Sequence, residues 1–212
     1  MAEFLILKLQ GVMQAWGKHT FEDYRPSELF PTRSGLVGLL AACLGLNWEE
    51  YQEQQKLSES FRYAVRVDKR KGPVEKITDY HTILNARKVD GSINTNAVVS
   101  RREYLCDAEF TVALEFFKGA NYGLDKIKEA VQRPYYTPFL GRRSCPLTRP
   151  LYEDTARAEN LHAALDLISP RKGTIYSELE DGSPNRLTVR DVPAFNGRRQ
   201  FATRTIYIHA GR

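Results

Sequence analysis

Cysteine is scarce in this chain: Cys43, Cys106 and Cys145 are its only three. Their number is odd, no CxxC pair occurs and their neighbours read as buried, so neither a disulfide framework nor a zinc knuckle is expected, and reduced thiols point to the cytoplasm. Histidine is as sparse. His19, His81, His162 and His209 lack HxxxH or HxH spacing, so no resident metal is expected, and no cofactor motif takes its place. The chain has no Walker loop, no GxGxxG and no GxSxG, and neither an internal repeat nor a low-complexity tract. No apolar run approaches the ~20 residues that span a bilayer, so no membrane partner is expected. Neither a basic leader with a cleavage site nor a lipidation motif accompanies the first strand-like segment, EFLILKLQG.

What is present is enough to build a core. The 212 residues are 42% apolar with a net charge of +5, which permits an acidic partner without demanding one. The most apolar segment is Pro31 to Leu46, PTRSGLVGLLAACLGL, whose only charge, Arg33, lies at its start. It predicts a helix capped by Thr32 or Ser34, stopped by Gly45 and Asn47, and buried on every side, with Gly35 and Gly38 admitting a neighbouring backbone. Its N-terminus, carrying Thr32, Arg33 and Ser34, reads either as a phosphate seat or as an ordinary cap with Arg33 in solvent.

Around that helix the pattern predicts a first strand at Glu3 to Gln10 and a long loop with Trp16, Phe21, Tyr24 and Phe30. A surface helix follows at Trp48 to Leu57, then paired strands at Phe61 to Asp68 and Ala108 to Phe117, and a helix at Leu124 to Gln132 ended by Pro134. Strand, helix, strand, strand, helix and a further strand is the split βαββαβ order of α+β, ferredoxin-like domains. Between the two paired strands, Val74 to Leu84 and Asn94 to Leu105 flank a KVDGS turn and predict an inserted hairpin. From Arg62 to Tyr104 ten Lys or Arg residues face five Asp or Glu, and Tyr80, His81 and Tyr104 are interleaved. That composition suits single-stranded nucleic acid or a protein partner. The first unit is expected to span residues 1–150, with the hairpin at about 74–105, and residues 151–212 to form a smaller β-rich C-terminal part. This part is predicted to hold a helix at Ala158 to Leu167, strands at Thr174 to Leu179, Arg186 to Asp191 and Gln200 to His209, and a hairpin turn at Asp181-Gly182.

One stretch is unusual in its charge. Gln132 to Leu151 holds four arginines, four prolines and no carboxylate, with Gly141 ahead of Arg142 and Arg143. It predicts a phosphate-contacting loop whose glycine lets the backbone approach a ligand. His19 with Lys18, or His81 with Tyr80, offers the parts of a metal-independent ribonuclease, but each is equally a surface or stacking residue.

The strings MQAWG (Met13 to Gly17), FPTRSGLVGLLAACLG (Phe30 to Gly45), DYHT (Asp79 to Thr82), REYLCD (Arg102 to Asp107), YTPFLGRRSCPLTRPL (Tyr136 to Leu151) and RQFATR (Arg199 to Arg204) resemble those of the CasD family. These are RAMP-superfamily subunits of type I-E CRISPR Cascade that cap the 5′ handle of the guide RNA. The resemblance implies a ferredoxin-like (RRM-like) domain with a thumb hairpin and a glycine-rich loop, acting in antiviral defence without catalysis or cofactor. It implies partners as well: the crRNA 5′ handle, the backbone subunit through the thumb, the large PAM-reading subunit and, indirectly, target DNA. A related type I-C family cleaves repeat RNA itself, so a metal-independent endoribonuclease is the alternative, although the arm here lacks a Lys-His pair beside its strands. The expected RNA contacts are Gln14, Trp16, Arg25, Thr32, Arg33, Ser34, Tyr80, His81, Arg101, Arg102, Gly141, Arg142, Arg143, Ser144 and Cys145.

Overall fold

Residues 1–20, 22–68, 74–88, 90–180, 182–195 and 200–210 are described by the computed structural model of the chain. Phe21, Val89 in the KVDGS turn, Asp181 of the predicted hairpin turn and Arg199 of the RQFATR string lie outside them.

The first strand, β1 (Ala2–Gln10), is buried on both faces rather than one. Leu5, Leu7 and Leu9 belong to one hydrophobic cluster and Phe4 and Ile6 to another. Such two-sided burial requires layers above and below. On one side pack α1 (Arg33–Leu44), through Leu36, Val37 and Leu40, and, further along the chain, α3 (Leu124–Gln132), through Ile127 and Val131. On the other lies α4 (Leu161–Asp166), through Leu161, Ala164 and Leu165. Full burial of side chains such as Leu36 and Leu40 contributes about 1.5–3 kcal/mol each. Between α1 and the next strand, α2 (Tyr51–Ser58) begins later than its predicted start at Trp48.

The remaining long strands are β2 (Phe61–Asp68), β3 (Glu75–Ile83), β4 (Val98–Cys106), β5 (Glu109–Phe116), β6 (Tyr152–Ala158), β7 (Gly173–Ser177), β8 (Arg186–Pro193) and β9 (Phe201–His209). Seven strands form one antiparallel sheet in the order β6-β1-β5-β2-β7-β9-β8. β6 pairs with β1 and β7 pairs with β2, so the β-rich C-terminal segment extends this sheet. One expectation changes here: β7 and β8 do not form a hairpin, because β9 lies between them.

β3 and β4 form an antiparallel hairpin between β2 and β5 in the chain. β4 also pairs with Met13–Gln14 and, in parallel, with Tyr24–Arg25. The root of this hairpin is core, since Leu105 is fully buried and Tyr104 nearly so. The 11–31 loop is therefore stitched to the hairpin.

Burial also falls on charge. Lys8 Nζ donates to Asp68 Oδ2 at 2.7 Å and to the Ser169 carbonyl at 2.9 Å, and Arg66 donates to Asp68 Oδ1 at 2.8 Å. Arg66 further holds the carbonyls of Leu165 and Ile168 at 2.5 and 2.9 Å. These cations add donors to carbonyls at and just beyond the end of α4.

Candidate nucleic-acid interface

The β3–β4 register decides which hairpin residues act together. Ile77 pairs with Tyr104, Asp79 with Arg102 and His81 with Ser100, while Tyr80 pairs with Arg101 and Thr78 with Glu103. Side chains alternate between faces, so Tyr80 and His81, expected to work side by side, point to opposite faces. The His81 face looks onto the glycine-arginine loop. Together they line a groove of about 760 Å³ whose walls are Met13, Ile77, Asp79, His81, Arg102, Tyr104, Arg142, Arg143 and Ser144. Three guanidinium-bearing residues face it against one carboxylate. The other face carries Tyr80, 70% exposed, and Arg101, which stacks over Tyr24 at 5.8 Å and pairs with Asp23 at 3.2 Å.

The loop owes its shape to Gly141. Its φ is +82°, and a Cβ there would lie 1.8 Å from the Ala15 carbonyl oxygen, so no other residue fits without moving the loop. The turn closes with Cys145 N–H donating to the Arg142 carbonyl at 2.8 Å and Leu140 N–H donating to the Cys145 carbonyl at 2.8 Å. The two arginines differ. Arg142 covers the Tyr104 ring at 4.6 Å and donates to the carbonyls of Glu103 and Arg25 at 3.0 and 3.1 Å. Arg143 and Ser144 are exposed. Arg142 thus fastens the loop to the hairpin, and Arg143 projects from it.

Glu103 locks the hairpin root to the long loop. Its carboxylate accepts from Tyr24 Oη at 2.5 Å, Ser27 N–H at 2.9 Å and Lys76 Nζ at 2.9 Å. Burial opposes ionisation of Glu103, but these donors outweigh it and hold the carboxyl down at about 2.

Several expected RNA contacts are buried. Gln14 and Trp16 are 0% exposed: Gln14 Nε2 donates to the Ala108 carbonyl at 2.6 Å, and Trp16 Nε1 donates to Gln14 Oε1 at 3.1 Å. Cys145 is in the core, and burial raises its thiol pKa. Thr32 is spent capping α1, its Oγ1 accepting from Gly35 N–H at 3.3 Å. Arg33 is neither a phosphate seat nor in solvent. Its guanidinium is paired with Glu178 at 2.7 Å and donates to the carbonyls of Ser58 and Phe61. Arg204, on β9, completes that network with Asp191 at 2.7 Å, Glu178 at 2.7 Å and Tyr63 Oη at 2.6 Å. The helix is open on one side only, at Gly38, and Gly35 admits the Trp16 ring rather than a backbone. The exposed or half-exposed remainder of the expected set is Arg25, Ser34, Tyr80, His81, Arg101, Arg102, Gly141, Arg142, Arg143 and Ser144. Of these the groove gathers His81, Arg102, Arg142, Arg143 and Ser144, and adds Asp79 and Met13, which residue-type reasoning did not single out. No helix is long and apolar enough to cross a membrane among the described residues.

The family model described as CRISPR-associated protein Cas5 matches residues 4–207, and the chain belongs to that family. The chain is 46% identical to the CRISPR system Cascade subunit CasD of Escherichia coli K12 over 218 aligned positions, covering 100% of this chain and 97% of that one. A chain in a solved CRISPR RNA-guided surveillance complex superposes with a TM-score of 0.75 at 26% identity, covering 98% of this chain and 91% of that one. A crystal structure of a Cas protein gives a TM-score of 0.69 at 32% identity, covering 97% and 93%.

Proposed function

We propose that this chain is a non-catalytic, RNA-binding subunit of a type I-E Cascade surveillance complex that caps the 5′ handle of the crRNA. The observation that carries the reading is the groove where Arg102, Arg142 and Arg143 converge with one facing carboxylate, in a chain so close to a Cascade subunit. Converging guanidinium groups fix phosphates, and unstacked bases are read by neighbouring polar and aromatic groups. The strand order β6-β1-β5-β2 supports a ferredoxin-like reading of the core, with β3 and β4 as its thumb. On this reading the thumb meets the backbone subunit, another surface meets the large PAM-reading subunit, target DNA is reached through them, and the site of action is the cytoplasm.

One observation favours a second reading. His81 Nδ1 lies 3.4 Å from Asp79 Oδ2 inside the cationic groove, an imidazole oriented by a carboxylate next to candidate phosphate ligands. That arrangement suits a metal-independent endoribonuclease acting on repeat RNA. Incubation of the purified chain with repeat RNA in EDTA separates the two: intact RNA with retained binding supports the capping role, and cleavage lost in His81→Ala supports the enzyme. Co-purification of guide RNA and partner subunits from the host checks the assembly.

A further inference from the structure

A second cavity, about 610 Å³, opens at the start of α1 and has Gly141 in its wall. Its size falls within the ~300–1,000 Å³ range of small-ligand sites. Lys18, His19, Ser34, Arg190 and Phe201 are among its walls, and no carboxylate lines it among the described residues. Lys18 has a carboxylate within reach outside the cavity, Glu28, at 3.6 Å. Arg190 Nε donates to the Phe201 carbonyl at 2.8 Å, which ties a guanidinium to the strand position that carries an aromatic ring. Phe201 itself is 37% exposed and lines the cavity. Two cations, an imidazole, a hydroxyl and an open ring around one cavity supply what a nucleotide needs: charge for the phosphate, donors for the sugar, and a face for the base.

We propose that this cavity is a second RNA subsite, taking one nucleotide of the bound strand with its phosphate on Lys18 and Arg190 and its base against Phe201. The proposal rests on the RNA-binding reading above. Gly141 lines this cavity while Arg142, Arg143 and Ser144 line the groove, so a strand crossing the turn meets both. The cavity continues along the open face of α1 past Gly35, Gly38 and Ala42, a recess of about 140 Å³ without bulky side chains on the helix side apart from Leu39.

The test uses the full chain and a short single-stranded RNA copying the 5′ segment of the host repeat, with one base at a time removed to leave an abasic sugar. With the unaltered chain, one position is expected to weaken binding about tenfold when its base is removed, the scale of base–aromatic stacking. In Phe201→Ala that penalty should vanish while penalties at other positions persist. Phe201→Leu, which keeps apolar bulk but no ring, should behave the same with an unchanged melting temperature. Lys18→Ala and Arg190→Ala should each lower the salt slope by about 0.7. Abasic penalties and slopes identical to those of the unaltered chain would overturn the subsite. If Arg143→Ala alone weakens binding, the subsite falls and the RNA-binding reading stands; if the unaltered chain binds no RNA, both fall.

Discussion

The backbone N–H of Arg33 donates to Asp191 Oδ2 at 2.8 Å, so the first turn of α1 is anchored by a carboxylate 158 positions along the chain. The anion that the helix dipole favours is thus already supplied from within the protein. Around it Arg33, Glu178, Arg204 and Asp191 form a network largely withdrawn from solvent.

Reversing Arg33 should therefore unfold rather than unbind. Arg33→Glu places a carboxylate against Glu178 and the Ser58 and Phe61 carbonyls, and Arg204→Ala leaves Asp191 and Glu178 short of a partner. Breaking a buried pair costs about 3–5 kcal/mol. Chemical denaturation of both variants checks this, and native-like stability in Arg33→Glu would refute it.

The two loop arginines should separate. Arg143→Ala is expected to keep the melting temperature and lower the salt slope of RNA binding by about 0.7. Arg142→Ala removes two hydrogen bonds to carbonyls and a ring contact, so a loss of about 1–3 kcal/mol of stability is expected as well. Measuring melts and binding isotherms side by side distinguishes them.

Gly141→Ala must either open the 136–146 loop or push Ala15 aside, because its new Cβ would meet the Ala15 carbonyl oxygen at 1.8 Å. Both a positive-φ penalty of about 1 kcal/mol or more and weakened RNA binding are expected. Retained affinity with retained stability would show that the loop tolerates the shift.

Shortening the hairpin has a limit set by its root. Deleting residues 84–97 and closing β3 to β4 with a two-residue turn should preserve a cooperative melt, since none of the described residues of that tip is buried. Deleting residues 74–105 removes Tyr104 and Leu105 from the core and the acceptor that Arg142 uses, and should abolish the cooperative transition.

Acid should loosen the hairpin root. Glu103 titrates at about 2 in the folded chain, below the ~4.3 of an unfolded glutamate. Its contribution is therefore complete above the unfolded value and is lost as pH falls from there toward 2. Thermal melts between pH 5 and 2 should show a smaller pH dependence in Glu103→Gln than in the unaltered chain.

Much of the fold was legible where local signals agree. The helix at Leu124–Gln132 matches its reading at both ends, helped by Gly123 before it and Pro134 after it, and Phe61–Asp68 matches as a strand. The order of the last strands was not, because a turn signal at Asp181-Gly182 says nothing about a later strand entering between the two it joins. The site divides the same way. A run of arginines without carboxylates marks an exposed loop, as Arg143 does. Trp16 sits among glycine, lysine and histidine and was expected to touch RNA, yet its ring is covered by Gly35, a contact 19 positions away that no local pattern encodes. Arg33 misled for a related reason: its partners Glu178 and Asp191 are brought to it only by the completed sheet. The opposed faces of Tyr80 and His81 follow from strand periodicity alone.

The insertion of β9 between β7 and β8 also sets an order of events during synthesis. Chains emerge from the N-terminus, and every contact of Arg204 with Asp191, Glu178 and Tyr63 waits for residues 201–209. Until then Arg33 and the carboxylates around it lack one of their cations, and the two outer strands have nothing between them to pair with. A chain stalled before Phe201 would thus expose the sheet edge of β7 to other polypeptides, an edge that β9 covers once it pairs there.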